Sequence, residues 1–140
     1  GTGNDTIDGF DGPDSETGGA GADLFQFYGD EARTAFAGLD RILDWAAEDK
    51  LSFTSSNDVE IGAGTSANYA EITAATYDAA LAAANAQVAG GVVNYVAAQV
   101  GADVFVFADS EANNGVADSA IILVGKTLAD IAFTNMIFGI

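Results

Sequence analysis

The first 26 residues are polar and glycine-rich, whereas later stretches such as DVFVFA and SAIILV are almost unbroken apolar runs. The early segment has a period of nine: Gly3 and Asp5, Gly12 and Asp14, Gly21 and Asp23 repeat in step. Written as nonapeptides, the units are GTGNDTID (entered at its second position), GFDGPDSET and GGAGADLFQ. Glycine holds position 4 and aspartate position 6 each time. Position 8 is Ile7, Glu16 and Phe25. A buried apolar residue is expected there, so Glu16, with Pro13 in the same unit, reads as a decayed middle repeat. The last three residues of each unit predict a short strand, and two units make a coil of 18 residues.

Beyond Leu24 the nine-residue period gives way to ordinary elements. LFQFY reads as a strand, residues 29–38 as a loop, and LDRILDW (39–45) places Ile42 and Trp45 on a core face. AAEDK turns into a short strand, LSF (51–53), and 54–68 is a polar surface loop. Thr76 is placed to N-cap a helix over roughly 77–89, with Tyr77, Leu81, Ala84 and Val88 on one stripe. That stripe reads as core packing, and Gly90-Gly91 ends the helix. VVNYVAAQV (92–100) and DVFVFAD (103–109) are strands, SEANNGVAD is a turn, and SAIILVG returns as a strand. The final TLADIAFTNMIFGI predicts a short turn and a last strand.

Composition narrows the partners. Four Lys and Arg against 21 Asp and Glu leave a formal charge of −17. Such a surface repels phosphates and anionic lipid, so nucleic acid and membrane insertion are not expected, and cations are the natural partners. Cysteine and histidine are both absent. That excludes disulfides, thiolate metal sites, zinc sites of the usual donors and histidine-based catalysis. No apolar run reaches about 18 residues, and no basic-then-apolar leader opens the chain. Entry part-way through a repeat predicts further repeats before Gly1.

The repeat chemistry suits a hard cation. Glycines permit tight turns that aim carbonyls inward, and the aspartate that follows adds a carboxylate. Stacked oxygen donors of this kind fit Ca²⁺, which takes about 6–8 oxygens.

GTGNDTID and GGAGADLFQ resemble the GGxGxDxUx nonapeptide of the RTX family. The following GADLFQFYGDEARTAFAGLDRILDWAAEDKLSF is similar to the segment that closes the β-roll of serralysin-type proteases, and to the R-modules of mannuronan epimerases. Asp40, Ile42, Asp44, Trp45, Asp49, Lys50 and Leu51 occupy that family pattern, with Trp45 where phenylalanine is usual. The tail from Asp103 resembles C-terminal segments of type I secreted RTX proteins. The resemblance implies a mainly all-β chain: the end of a parallel β-roll (1–30), followed by a β-rich C-terminal cap (31–140) with one helix.

It also implies Ca²⁺ between turns one coil apart. Carried over, one site uses Thr2 and Asp5 with Gly18, Ala20 and Asp23. On the opposite edge lie Gly9, Asp11 and Asp14, with Asp30 as the residue expected to close the site from the next coil. The implied function is a non-catalytic module that folds on binding Ca²⁺ outside a Gram-negative cell. It would leave through a type I ABC exporter that reads a C-terminal signal, with any catalytic passenger upstream. The alternative is a Ca²⁺-dependent module that holds polysaccharide or a cell surface.

Two other acidic spots have competing readings. Asp109, Glu111 and Asn113 begin like an EF-hand loop, but glycine falls one place late and Ala120 stands where glutamate belongs, so a hairpin turn is favoured. Asp40, Asp44 and Asp49 invite comparison with a glycosidase carboxylate set, yet no sugar groove is indicated and a role in turns is favoured. No nucleophile–base pair is recognisable, so the chain itself is not expected to be an enzyme.

Overall fold

In the computed structural model the described residues are 1–28, 34–55, 61–111 and 114–137. The first five strands are short and alternate between two sheets: β1 (Thr6–Asp8), β2 (Ser15–Glu16), β3 (Leu24–Tyr28), β4 (Asp40–Ile42) and β5 (Lys50–Thr54). β1, β3 and β5 form a three-stranded parallel sheet. β2 and β4 begin a six-stranded sheet that continues through β9 (Ser119–Leu123), β8 (Asp103–Ala108), β7 (Tyr95–Val100) and β6 (Tyr69–Ala74). That sheet is mixed. β2/β4, β4/β9 and β6/β7 are parallel, while β7/β8 and β8/β9 are antiparallel. The chain is therefore strand-rich with one helix, α1 (Tyr77–Val88).

Register follows the repeat. Thr6 pairs with Leu24, so the first two strands of the small sheet are offset by one 18-residue coil. The next offset is 26, seen both at Leu24↔Lys50 and at Ser15↔Arg41. The eight extra residues fall between β3 and β4, because β4 and β5 resume the nine-residue step. The position-4 glycines Gly3, Gly12 and Gly21 have φ of 110°, 117° and 136°, the left-handed region that glycine enters freely.

Two apolar layers hold the sheets. Between them lie Phe25, Phe27, Ile42, Trp45, Leu51 and Phe53 from the early strands, with Tyr95, Val104, Val106, Ile121 and Leu123 from the later ones. Phe27 and Phe53, register partners on β3 and β5, stack with centroids 5.5 Å apart. The other face of the large sheet packs Val96, Ala98, Phe105, Phe107 and Ile122 against Ala80, Ala84 and Val88 of α1. Strands β7 to β9 are thus buried on both faces, which is why their sequences run apolar without alternation.

Most elements beyond the repeats match expectation. Thr76 caps α1 through its hydroxyl, which accepts from the Ala79 amide at 3.2 Å. Ile42 and Trp45 are fully buried. One strand is additional to the sequence reading: β6, YAEITA, pairs with β7 and is joined to it through α1, a parallel crossover. Its alanine-rich inward face, Ala70, Ile72 and Ala74, carries little strand signal.

The tail differs from the expected last strand. It forms 3₁₀ turns at Leu128–Asp130 and Phe133–Asn135, then a single parallel bridge, Leu51↔Met136. Buried Asn135 donates through Nδ2 to the carbonyls of Ala47 and Asp49, at 2.9 and 2.8 Å. Trp45 Nε1 donates to the Asp130 carbonyl at 2.9 Å. These contacts lay the tail along β5 and cover that edge of the small sheet.

Candidate metal centre

Asp23, Asp40 and Asp49 each clamp the turn one coil before them. The Asp5 amide donates to Asp23 Oδ1 (2.8 Å), the Asp23 amide to Asp49 Oδ1 (2.9 Å), and the Asp14 amide to Asp40 Oδ1 (2.8 Å). Main-chain bonds run beside these clamps, from Leu24 to the Asp5 carbonyl, Lys50 to Asp23 and Arg41 to Asp14. Asp44 adds another clamp, accepting from the amides of Gly18 and Gly19. Asp40, Asp44 and Asp49 are thus engaged with backbone amides of the turns. Asp109 is similar: its two oxygens accept from the amides of Asn114 and Gly115 within its own turn.

The clamps leave specific oxygens over. Asp23 is 1 % exposed, and its Oδ2 accepts no hydrogen bond. Asp14 Oδ2 and both carboxylate oxygens of Glu16 are likewise buried without a hydrogen-bond partner. All four atoms are carboxylate oxygens within the nonapeptide region. Leaving a charged group buried and unsatisfied is costly, several kcal/mol in a typical interior.

On the first edge the expected residues are brought together. Thr2 and Ala20 form a parallel bridge, with the Gly3 amide donating to the Ala20 carbonyl at 2.7 Å. Asn4, which sequence reading did not single out, accepts from the Ala22 amide. The Gly1 ammonium donates to the Gly18 carbonyl and lies 3.5 Å from Asp5 Oδ2. Asp23 Oδ2 lies directly over Gly18, where an added Cβ would approach it to 2.2 Å.

The second edge is arranged differently from expectation. Asp40, not a residue of the FYGD stretch, stands one coil from Asp14, because the extra eight residues precede β4. Asp30 lies outside the described residues. Gly9 lies beside Asp14, whereas Asp11 is exposed on the intervening turn. Glu16 occupies the inward position of β2, in register with core residue Ile42, and is 5 % exposed.

The local field is strongly negative. Burial pushes the Glu16 carboxyl up from 4.5 to about 7, helped by the charges of Asp40, Asp14 and Asp8. The neighbouring Gly9 amide opposes this in part, without reaching hydrogen-bonding geometry with either oxygen. Burial raises Asp40 to about 6, an effect that the Asp14 amide offsets and the Asp14 charge reinforces. Asp49 is also raised by burial, against the amides of Asp23 and Ala46.

Hard oxygen donors without nitrogen or sulfur suit Ca²⁺ rather than zinc. Among the described residues no three acidic side chains converge as a ready metal-holding group. An ion at either edge would therefore draw on backbone carbonyls as well as carboxylates, and the buried unpartnered oxygens are where its charge is needed. On the first edge Asp5 is hydrogen-bonded to Asp23, Asp23 lies over Gly18, and Thr2 is bridged to Ala20; on the second Gly9 lies beside Asp14.

No family model matches the chain, and no curated protein is detectably similar to it. No described helix is long and apolar enough to cross a membrane.

Proposed function

We propose that the chain is a non-catalytic calcium-binding module of RTX type. In this reading β1 to β5 are the end of a parallel β-roll, closed by the C-terminal strands. The observation that carries it is the set of buried, unpartnered carboxylate oxygens on Asp14 and Asp23, each on a turn one coil from another aspartate. Without a counter-ion these charges oppose closure of the coil. With Ca²⁺ bound, binding free energy becomes folding free energy. Ca²⁺ would be held by Asp5 and Asp23 with the carbonyls of Thr2, Gly18 and Ala20, and the ion would supply charge neutralisation and a cross-link between coils.

The biological setting follows as part of the same proposal. A chain kept open by low cytoplasmic Ca²⁺ would thread a type I exporter, and calcium in the medium would fold it outside the cell. Calorimetric titration with CaCl₂, followed by circular dichroism in CaCl₂ and in EGTA, tests the core of this reading. Binding with a dissociation constant of about 10⁻⁴–10⁻³ M and a gain of ordered strand is expected. No heat and an unchanged spectrum at about 10 mM Ca²⁺, well above that range, would reject it.

One observation favours calcium-dependent glycan binding as a second reading. Phe36, 52 % exposed, lies against Tyr77 with centroids 5.2 Å apart, and both line a surface hollow with Thr76 and Asp78. An exposed aromatic beside a carboxylate is a surface on which a sugar ring can stack. A glycan array read with and without CaCl₂ separates the two.

A further inference from the structure

We propose that Glu16 is itself a calcium ligand, holding a Ca²⁺ ion together with Asp14 in the turn at Gly9. The proposal rests on the calcium reading above. It goes beyond it in assigning a ligand at an inward strand position, where the repeat pattern calls for an apolar side chain.

Four observations converge on this residue. Glu16 is 5 % exposed, and neither carboxylate oxygen accepts a hydrogen bond. Asp14 Oδ2 is buried and unpartnered in the same way. Both groups face one point: a Cβ added to Gly9 would lie 2.9 Å from Glu16 Oε1 and 3.2 Å from Asp14 Oδ2. Finally, no lysine or arginine among the described residues is ion-paired with Asp8, Asp14, Glu16 or Asp40.

An apolar residue at position 16 would extend the layer that Ile42 occupies in the neighbouring strand, at no electrostatic cost. A lone carboxylate there is unfavourable unless something positive meets it. The glycine at position 9 leaves the two carboxylates room to approach a common ion. Two carboxylate groups, with backbone carbonyls and water completing the shell, form a donor set for Ca²⁺. Glu16 is then a functional replacement in the middle repeat, and not a decayed position.

The test is a calorimetric CaCl₂ titration of the full chain as wild type, Glu16→Gln, Glu16→Leu and Asp23→Ala, paired with thermal melts in EGTA. Glu16→Gln keeps the shape and removes the charge. It should lose one bound Ca²⁺, or weaken one site by at least about tenfold, while melting higher than wild type in EGTA. Glu16→Leu should behave alike. Asp23→Ala should instead affect the other edge and leave the Glu16 site titrating. If both Glu16 variants bind Ca²⁺ with wild-type number and affinity while Asp23→Ala loses a site, the calcium reading stands and the role of Glu16 falls. If the wild type binds no Ca²⁺, both fall.

Discussion

The Asp5 amide donates to Asp23 Oδ1 across one full coil, at 2.8 Å, and the second oxygen of the same carboxylate stays buried without a partner. One side chain thus has two separable roles. Oδ1 sets the spacing between coils; Oδ2 carries charge that the protein alone does not neutralise. Substitutions that keep one role and remove the other should tell them apart.

Asp23→Asn retains an oxygen that can accept from the Asp5 amide and removes the charge. It should fold at least as stably as wild type in EGTA and lose the stabilisation that CaCl₂ confers. Asp23→Ala removes both roles and leaves the Asp5 amide without its acceptor, at a cost of about 1–3 kcal/mol. Chemical denaturation with and without CaCl₂ measures both effects. A calcium response that survives intact in Asp23→Asn would argue against a ligand role for this carboxylate.

Gly18 is required for a steric reason. An added Cβ would lie 2.2 Å from Asp23 Oδ2 and 2.8 Å from its Cγ. Asp23 cannot swing away without giving up its bond to Asp5. Gly18→Ala should therefore destabilise by about 1–3 kcal/mol and weaken Ca²⁺ binding. Gly38 meets nothing within 4 Å of its added Cβ, and Gly38→Ala serves as the near-neutral control. Equal melting temperatures for the two variants would contradict this account.

The metal-free protein should lose stability as pH rises through the range between the ordinary glutamate value and neutrality. Glu16 is raised from 4.5 to about 7 by burial and by the charges of Asp40, Asp14 and Asp8, against the Gly9 amide. Within that window the folded chain keeps a proton that the unfolded chain has released. The unfolded state binds fewer protons, so stability falls with rising pH, by on the order of 3 kcal/mol across the window. Asp40, raised to about 6, adds a slope of the same sign. Denaturation in EGTA between about pH 5 and about pH 8 spans these values. Glu16→Gln should flatten the curve, and a wild-type curve that rises with pH across this range would contradict the assignment.

Much of this arrangement is legible in the sequence, and the exceptions have physical causes. The Gly-x-Asp spacing specifies the 18-residue offset because the same turn must recur for the strands to pair in register. Spacing alone would put a residue near Asp30 under Asp14. The loop between β3 and β4 shifts that place to Asp40, and an insertion of eight residues breaks a nine-residue rule without leaving a mark on either flank. Glu16 reads as an error because the pattern describes an apolar layer; of the charges around it, Asp40, Asp14 and Asp8, the first comes from 24 residues away and is brought near only by the fold. β6 is weak in sequence because alanines against α1 need little bulk. The backbone clamps formed by Asp44 and Asp49 are invisible until the partner amides, 25 and 26 residues away, are known.

The export reading makes the tail the decisive segment, and the structure supplies a way to separate signal from packing. Residues 126–137 close the β5 edge through Asn135, Met136 and the Asp130 carbonyl. Removing 126–140 therefore does two things at once: it deletes any signal and it strips structural contacts. Asn135→Ala does only the second, because it leaves the carbonyls of Ala47 and Asp49 without their donor while keeping the tail sequence. Each lost buried bond costs on the order of 1 kcal/mol, so this variant should melt lower in CaCl₂. Residues 1–140 fused behind an unstructured reporter should reach the medium of a host that carries a matching type I exporter. The Asn135→Ala fusion should follow, since in the export reading the chain crosses unfolded and stability counts only afterwards. The fusion lacking 126–140 should stay inside. Equal export of the truncated fusion would show that the tail serves the fold and that any signal lies elsewhere. Loss of export in Asn135→Ala, with normal intracellular levels, would tie export to Asn135 itself.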